Sequence, residues 1–204
     1  MSLWRGSQPL MLASRSAARR TLLDAAGLAV DVIEVAVDER AVERAAFAAE
    51  AGPDDIARIL ARTKALAGSI AAGRDRLVLG ADQTLALAGV MFHKVRDRAG
   101  ARAQVARLAG RTHVLHAGVA LARDEQILFE TVSTARLTFR ALDADEIETY
   151  LDAAGPSVFD SVGCYQIEAL GVHLIEAIEG DHFTILGLPL LALLAFLRTE
   201  GLVP

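Results

Sequence analysis

The chain has a single cysteine, Cys164, and no asparagine among its 204 residues. One thiol cannot form an internal disulfide, so the protein is not a small domain held together by disulfides. Without asparagine there is no acceptor for N-linked glycosylation. No apolar run approaches the roughly 20 residues of a membrane-spanning helix, and the longest candidate, residues 186–197, is too short.

Aromatic residues are scarce at 5%, yet hydrophobic residues make up 53% of the chain. A chain of this length buries about 70% of its unfolded surface, so it needs no disulfide or metal to fold. The formal charge of −5 excludes the broad basic surface that a nucleic acid polymer requires. We expect one domain over residues 1–204, or two lobes sharing a core, in the reducing cytoplasm and without a membrane partner.

An Arg/Ser-rich stretch near the start leaves a second location open. Arg15, Ser16, Arg19 and Arg20 come before any acidic residue, as in a transit peptide of an imported enzyme. Asp24 follows soon after, and the stretch also suits a turn between a strand and a helix. We favour the turn, with Ser16 as the N-cap of the helix.

Strands and helices alternate irregularly along the chain. Two long alternating segments, residues 111–122 and 126–139, are separated by a turn at Asp124-Glu125 and predict antiparallel pairing. The sequence therefore predicts a mixed α/β fold. The other predicted strands are residues 9–13, 28–37, 77–80, 163–167 and 172–178, and the predicted helices are residues 17–26, 42–50, 54–72, 99–108, 143–153 and 188–198.

Lysine is almost absent: of 21 basic residues other than histidine, only Lys64 and Lys94 are lysines. A chain that otherwise uses arginine keeps a lysine where a compact ammonium fits and a planar guanidinium does not. Chance is the alternative explanation when composition is considered alone.

The turn after the first predicted strand has the features of an anion site. Ser14 and Ser16 supply hydroxyls, the following helix begins with free N–H groups, and Arg19 can contact a phosphate. In the alternative interpretation Ser16 only caps the helix and the arginines are solvated.

Carboxylates follow two other predicted strands. Asp82 comes directly after an apolar strand, where α/β sheets usually open to a ligand, and it could bind a metal or activate water. Asp38 and Glu39 end another strand and add hard oxygen ligands for Mg²⁺ or Mn²⁺. An ordinary turn and a charged strand exit are the structural alternatives.

Taken in order, these pieces resemble the Maf family of nucleotide pyrophosphatases. The resemblance rests on L-A-S-x-S-x-x-R, an acidic V-D-E, L-A-x-x-K-A, G-A-D, a later lysine, L-x-G-x-x-H, and E-G-D with G-L-P-L near the end. The matching positions are residues 12–19, 37–39, 60–65, 80–82, 94, 108–119, 163–165, 179–181 and 187–190. They span nearly the whole chain, and both lysines fall on motif positions.

The resemblance implies hydrolysis of nucleoside triphosphates between the α- and β-phosphates. It also implies a central mixed sheet with helices on both sides, a deep cleft, a divalent metal such as Mg²⁺, Mn²⁺ or Co²⁺, a cytoplasmic location and a homodimer. The implied roles are proton acceptor for Asp82, metal ligand for Asp82 and Glu39, and phosphate binding for Ser14, Ser16, Arg19, Lys64 and Lys94.

Substrate choice is implied by three further positions. Gln83 and Glu168 resemble the corresponding residues of the branch that acts on 7-methyl-GTP more than those of the branch that acts on dTTP and UTP. The chemistry is consistent with this, since a carboxylate such as Glu168 can accept two hydrogen bonds from the edge of guanine. Ala18 departs from that branch, where a large side chain is expected. A regulator of cell division that binds nucleotide without turnover is the alternative function.

Overall fold

The computed structural model describes residues 2–204, which form seven β-strands, seven α-helices and two short 3₁₀ turns. The strands are β1 (Leu10–Ala13), β2 (Val30–Val32), β3 (Val78–Leu87), β4 (Val90–Phe92), β5 (Thr112–Arg123), β6 (Gln126–Phe139) and β7 (Ile175–Glu179). The helices are α1 (Ala17–Ala25), α2 (Glu39–Ala48), α3 (Pro53–Ala72), α4 (Arg98–Leu108), α5 (Ala144–Ala154), α6 (His182–Ile185) and α7 (Leu190–Thr199).

The strands form one mixed sheet in the order β2-β1-β3-β5-β6-β7, with β4 paired to β3. The pairs β1–β2 and β1–β3 are parallel, whereas β3–β4 and β6–β7 are antiparallel. The prediction of a mixed, partly antiparallel α/β fold is therefore confirmed. None of the helices within residues 2–204 has both the length and the apolar character needed to cross a membrane.

The chain divides into two compact units. The first unit comprises the chain up to Gln83 together with residues 116–133 and 182–204. Its core is built from leucines of β1, β3 and α7, and Phe129 stacks on Phe196 with ring centroids 4.8 Å apart. Strand β1, helix α3 and the part of β3 up to Gln83 all belong to this unit, and they position residues of the candidate site.

The second unit comprises residues 84–115 and 134–181. Helices α4 and α5 contact each other and bury aliphatic side chains such as Val105, Leu108 and Ile147. Phe139 is fully buried and meets His113 and Tyr165 edge to face. The buried layer of this unit is therefore partly polar.

Helix α3 lies unusually close to the strands of the first unit because two glycines face it. A Cβ added at Gly80 would fall 2.1 Å from the carbonyl oxygen of Ala61, and one at Gly118 would fall 2.5 Å from that of Ala57. Backbone atoms cannot give way to such contacts, so only glycine permits this approach. The close packing determines how far Lys64 of α3 stands from β3.

Most predicted elements are present, and the structure differs from the prediction at a few of them. Residues 163–167 are not a strand, because Gly163 and Cys164 have φ of +83° and +61°, which no strand tolerates. Strand β2 is shorter than predicted, and Asp38 does not end a strand but caps α2. The predicted strand at residues 77–80 and residues 84–87, which the sequence also predicts to be extended, form one continuous strand, β3. The short helix α6 was not predicted.

Candidate active site

Parallel pairing of β1 and β3 brings the turn at Ser14, where an anion site was predicted, beside Asp82. Ala13 of β1 stands opposite Gly80 of β3, so the turn that starts at Ser14 begins next to the strand segment that carries Asp82. Ser16 caps α1 as predicted, its Oγ accepting a hydrogen bond from the backbone N–H of Arg19. The turn from Ser14 to Ser16 therefore forms one edge of the candidate site.

Lys64 joins two of the predicted metal ligands. Its Nζ lies 2.6 Å from Oε1 of Glu39 and 2.5 Å from Oδ1 of Asp82. The side chains of Lys64 and Asp82 are only 11% and 13% exposed, whereas that of Glu39 is 48% exposed. The three residues come from α3, α2 and β3, and the structure brings them together as a compact charged cluster.

Burial and charge act in opposite directions on the two carboxylates. Burial raises the pKa of Asp82, against the opposing attraction of Lys64 and Arg19. Partial burial also acts to raise the pKa of Glu39, but the hydrogen bond from Lys64 and the nearby cations outweigh it, so that this pKa is lowered. Arg15 is one of those cations, a role that the sequence analysis did not assign to it.

Arg19 is buried and holds three segments together. Its Nε donates to the carbonyl oxygen of Gly187 at 2.8 Å, and its Nη1 donates to Ser14 Oγ and to the carbonyl oxygen of Ala81, both at 2.9 Å. Burial lowers the pKa of Arg19, partly offset by Asp82 and Glu39. Three of its five N–H donors are used within the protein, which leaves the two on Nη2 for a phosphate.

Hydrogen bonds within the protein leave the Ser14 hydroxyl able to act only as a donor. Ser14 Oγ accepts from Arg19 Nη1 and from the backbone N–H of Ser16, which occupies both of its lone pairs. Its O–H is then the only hydrogen-bonding group left. A hydroxyl restricted to donation suits a phosphate oxygen, which only accepts.

Both N–H donors of the Gln83 side chain are used within the protein. Its Nε2 lies 3.0 Å from the carbonyl oxygens of both Thr184 and Ile185. Only Oε1 remains, so Gln83 can accept but not donate a hydrogen bond to a ligand. The segment at residues 184–187 thus anchors both Gln83 and Arg19, a supporting role that the sequence analysis missed although the G-L-P motif adjoins it.

Glu39 and Asp82 carry the hard oxygen donors that a divalent cation prefers. In the structure one oxygen of each carboxylate contacts the Lys64 ammonium, which occupies the point between them. Within residues 2–204 no group of three or more His, Cys, Asp or Glu side chains could enclose a metal. Mg²⁺ is commonly held by one or two carboxylates plus phosphate oxygens, and the donor set fits that mode but not a dedicated protein cage.

The remaining predicted site residues have simpler surroundings. Ala18 lies in the first turn of α1 and is half-buried. Lys94 and Glu168 belong to the second unit, where Lys94 is exposed in the loop after β4 and Glu168 is exposed in a turn. Their predicted roles in phosphate and base recognition stay predictions.

Comparison with known proteins identifies the family of this chain. The sequence profile described as Maf-like protein matches residues 9–200. The chain belongs to the Maf family. Within it, the chain is 53% identical over 203 residues to a nucleoside triphosphate pyrophosphatase of Nitrobacter winogradskyi and 54% identical over 203 residues to one of Bradyrhizobium diazoefficiens. Both alignments cover 100% of this chain and 99% of the relative.

A further Maf relative carries a narrower name. The 7-methyl-GTP pyrophosphatase of Brucella abortus is 46% identical over 191 residues, covering 94% of this chain and 96% of the relative. The resemblance that the motifs indicated is therefore confirmed at the level of the family.

Proposed function

We propose that the chain hydrolyses nucleoside triphosphates to the nucleoside monophosphate and pyrophosphate. The observation that carries this proposal is the ion-paired cluster of Asp82, Lys64 and Glu39 beside the Ser14 turn, in which Asp82 and Lys64 are largely buried. Water attacks the α-phosphorus, the bond from that phosphorus to the bridging oxygen breaks, and pyrophosphate leaves with the bond electrons. The proton of the water goes to Asp82.

Each residue of the cluster has a distinct part in this reaction. Asp82 holds the water and accepts its proton, and the burial that raises its pKa makes it a stronger base than an exposed aspartate. Lys64 orients Asp82 and supplies positive charge close to the phosphates. The hydroxyl of Ser14 and Nη2 of Arg19 bind phosphate oxygens that gain charge as the bond breaks.

A divalent cation bound by Glu39 and Asp82 would supply further positive charge to the triphosphate. Lys94 provides another ammonium for the phosphates. A binding protein without turnover has little need of a buried carboxylate with a raised pKa, so the cluster favours catalysis over the alternative of a regulator of cell division.

We propose in addition that guanine nucleotides, 7-methyl-GTP among them, are preferred over UTP and dTTP. Glu168 accepts hydrogen bonds from the N1–H and 2-amino groups of guanine, and Gln83 contributes an acceptor through Oε1. Two charge-assisted bonds of about 1.5–3 kcal/mol each at most, which a pyrimidine does not make, correspond to discrimination of about 10²-fold for an exposed carboxylate. The name of the Brucella relative supports this preference.

The test is pyrophosphate release from 7-methyl-GTP, GTP, UTP and dTTP, each with Mg²⁺, Mn²⁺ and Co²⁺. We expect turnover with a divalent metal and the highest kcat/KM for guanine nucleotides, and Glu168→Gln should reduce that preference. Tight nucleotide binding with no pyrophosphate would favour the regulator instead. Equal or better use of the pyrimidines would contradict the base assignment alone.

A homodimer in the cytoplasm is also part of the proposal, by analogy with the family. The mass of the purified protein in solution, measured by light scattering, tests the dimer. A fluorescent fusion imaged in the source cells tests the location. A monomer, or a fusion confined to an organelle or membrane, would contradict the corresponding statement.

A further inference from the structure

One side chain of the second unit bonds to two loops at once. Gln104 of α4 is only 9% exposed, and its Nε2 donates to the carbonyl oxygen of His93 at 2.5 Å. Its Oε1 accepts from the backbone N–H of Gly163 at 3.2 Å and from Sγ of Cys164 at 3.4 Å. His93 directly precedes Lys94, and Gly163 begins the segment that leads to Glu168.

An amide side chain suits these contacts because it carries its donor and its acceptor on separate atoms. The loop before Lys94 presents a carbonyl acceptor, and the loop before Glu168 presents an N–H donor, so the group between them must donate and accept simultaneously. The chain has no asparagine, and a glutamine stands here on a helix face otherwise occupied by Ala101, Val105 and Leu108. A buried amide that satisfies two backbone groups is costly to replace.

The segment that Gln104 holds is otherwise strained and buried. Gly163 and Cys164 are both in the left-handed region, which is uncommon for a residue other than glycine. The Tyr150 hydroxyl donates to the carbonyl oxygen of Cys164 at 2.9 Å, and the Tyr165 hydroxyl lies 2.7 Å from Nε2 of His113. These bonds maintain an unusual backbone course just before the turn that carries Glu168.

We propose that Gln104 is a positioning residue that sets the placement of Lys94 and Glu168 relative to each other. Lys94 is exposed and has no ion-pair partner in residues 2–204, so its backbone anchor determines where its ammonium reaches. This inference rests on the proposed roles of Lys94 in phosphate binding and Glu168 in base recognition. Gln104 itself touches neither substrate nor reacting atoms.

Two variants distinguish the bond from Gln104 to His93 from the bond between Gln104 and Gly163. Gln104→Met removes both, and we expect KM for 7-methyl-GTP and UTP to rise about tenfold or more while the preference between them falls toward one. Gln104→Glu keeps an acceptor for Gly163 but places an oxygen against the His93 carbonyl. It should raise KM for both nucleotides alike and leave the preference intact.

Three controls make the result specific. Gln126→Met is the same change at an exposed position of β6 and should alter neither KM nor preference. Cys164→Ala removes only the thiol contact and should leave the preference within about twofold of the wild type. Lys94→Met combined with Gln104→Glu should raise KM little beyond Lys94→Met alone, because the anchored ammonium is already gone.

The outcomes distinguish positioning from a structural role. If Gln104→Met lowers the free energy of unfolding and the active fraction but leaves KM and preference unchanged, the proposal is overturned. Additive KM effects of Lys94→Met and Gln104→Glu would overturn it too. If Glu168→Gln changes nothing while Gln104→Glu still raises KM, the base assignment fails and the anchor of Lys94 stands. Should the wild type release no pyrophosphate, nucleotide dissociation constants replace KM, and unchanged constants refute positioning.

Discussion

The two units bury polar groups in opposite ways. In the first unit the polar cluster at the candidate site is charged. The Lys64 ammonium contacts the largely buried carboxylate of Asp82 and the half-exposed carboxylate of Glu39, and the Arg19 guanidinium is also buried. In the second unit the polar cluster is neutral, consisting of Gln104, His113 and two tyrosines that bond to loop backbone or to each other.

The difference indicates two uses of buried polar groups, at different energetic cost. Burying a charge is expensive and leaves reactive groups with altered proton affinity, which suits catalysis. Burying a neutral polar group is cheaper and fixes a backbone course through directional bonds, which suits positioning. The following predictions test this contrast, beginning with the largest expected effect.

Replacing Asp82 by Asn should abolish pyrophosphate release and leave the fold intact. The change keeps the size of the side chain and removes the base and a charge that Lys64 neutralises, so we expect kcat to fall by about 10²–10⁴-fold. The matched control is Asp31→Asn, at an aspartate with 59% exposure. Turnover of Asp82→Asn within about threefold of the wild type would remove this residue from the mechanism.

Gly80→Ala should destabilise the first unit, because its methyl group would enter the backbone of α3. Overpacking usually costs about 1–3 kcal/mol, and we expect the upper end of that range in urea unfolding. Activity should fall as well, since the shift separates Lys64 from Asp82. Gly52→Ala, where the added methyl meets only the flexible end of Asp54, is the control and should cost far less.

Lys64→Arg should lower kcat/KM by about tenfold or more, although the charge is preserved. A guanidinium is broader than an ammonium and does not fit between Glu39 and Asp82 at 2.6 and 2.5 Å. Lys94→Arg should reduce activity too. Arg62→Lys, a half-exposed position on the same helix, is the reverse exchange and should have little effect. Full activity in both lysine variants would make the scarcity of lysine accidental.

His113 should give the second unit a pH-dependent stability. Burial lowers the pKa of His113 from its ordinary value of 6.5 to about 4. As pH falls below 6.5 the unfolded chain takes up a proton that the folded chain refuses, so the stability present above 6.5 is lost progressively down to about pH 4. The slope is about 1.4 kcal/mol per pH unit at most.

The measurement is the free energy of urea unfolding between pH 7 and pH 4.5. His113→Gln should remove this part of the slope, whereas His173→Gln, at an exposed position, should retain it. An identical slope in the wild type and His113→Gln would mean that His113 is not held neutral.

Local signals in the sequence were sufficient for several elements. Ser16 caps α1 as predicted, and the D-x-x-E spacing of Asp143 and Glu146 forms a capping box at the start of α5, whose position the sequence also predicted. The turn at Asp124-Glu125 joins β5 and β6, with both residues at positive φ. These features depend on neighbours within a few residues, and so they can be predicted without the fold.

The prediction for residues 163–167 was wrong because the conformation of this segment depends on residues outside it. A strand was predicted there, but the left-handed backbone at Gly163 and Cys164 is maintained by Gln104 and Tyr150, which are distant in sequence. A glutamine on the apolar face of α4 was the available signal, and it becomes informative only once its two backbone partners are known.

The sequence by itself determined the family, the mixed α/β class and the motif positions, because these follow from residue order and local periodicity. Tertiary structure alone decided that Lys64 stands between Glu39 and Asp82, that Arg19 uses three donors within the protein, and that Gln83 can only accept. Hydrogen-bond capacity is consumed by partners up to 168 residues away, and no local pattern records which donors remain.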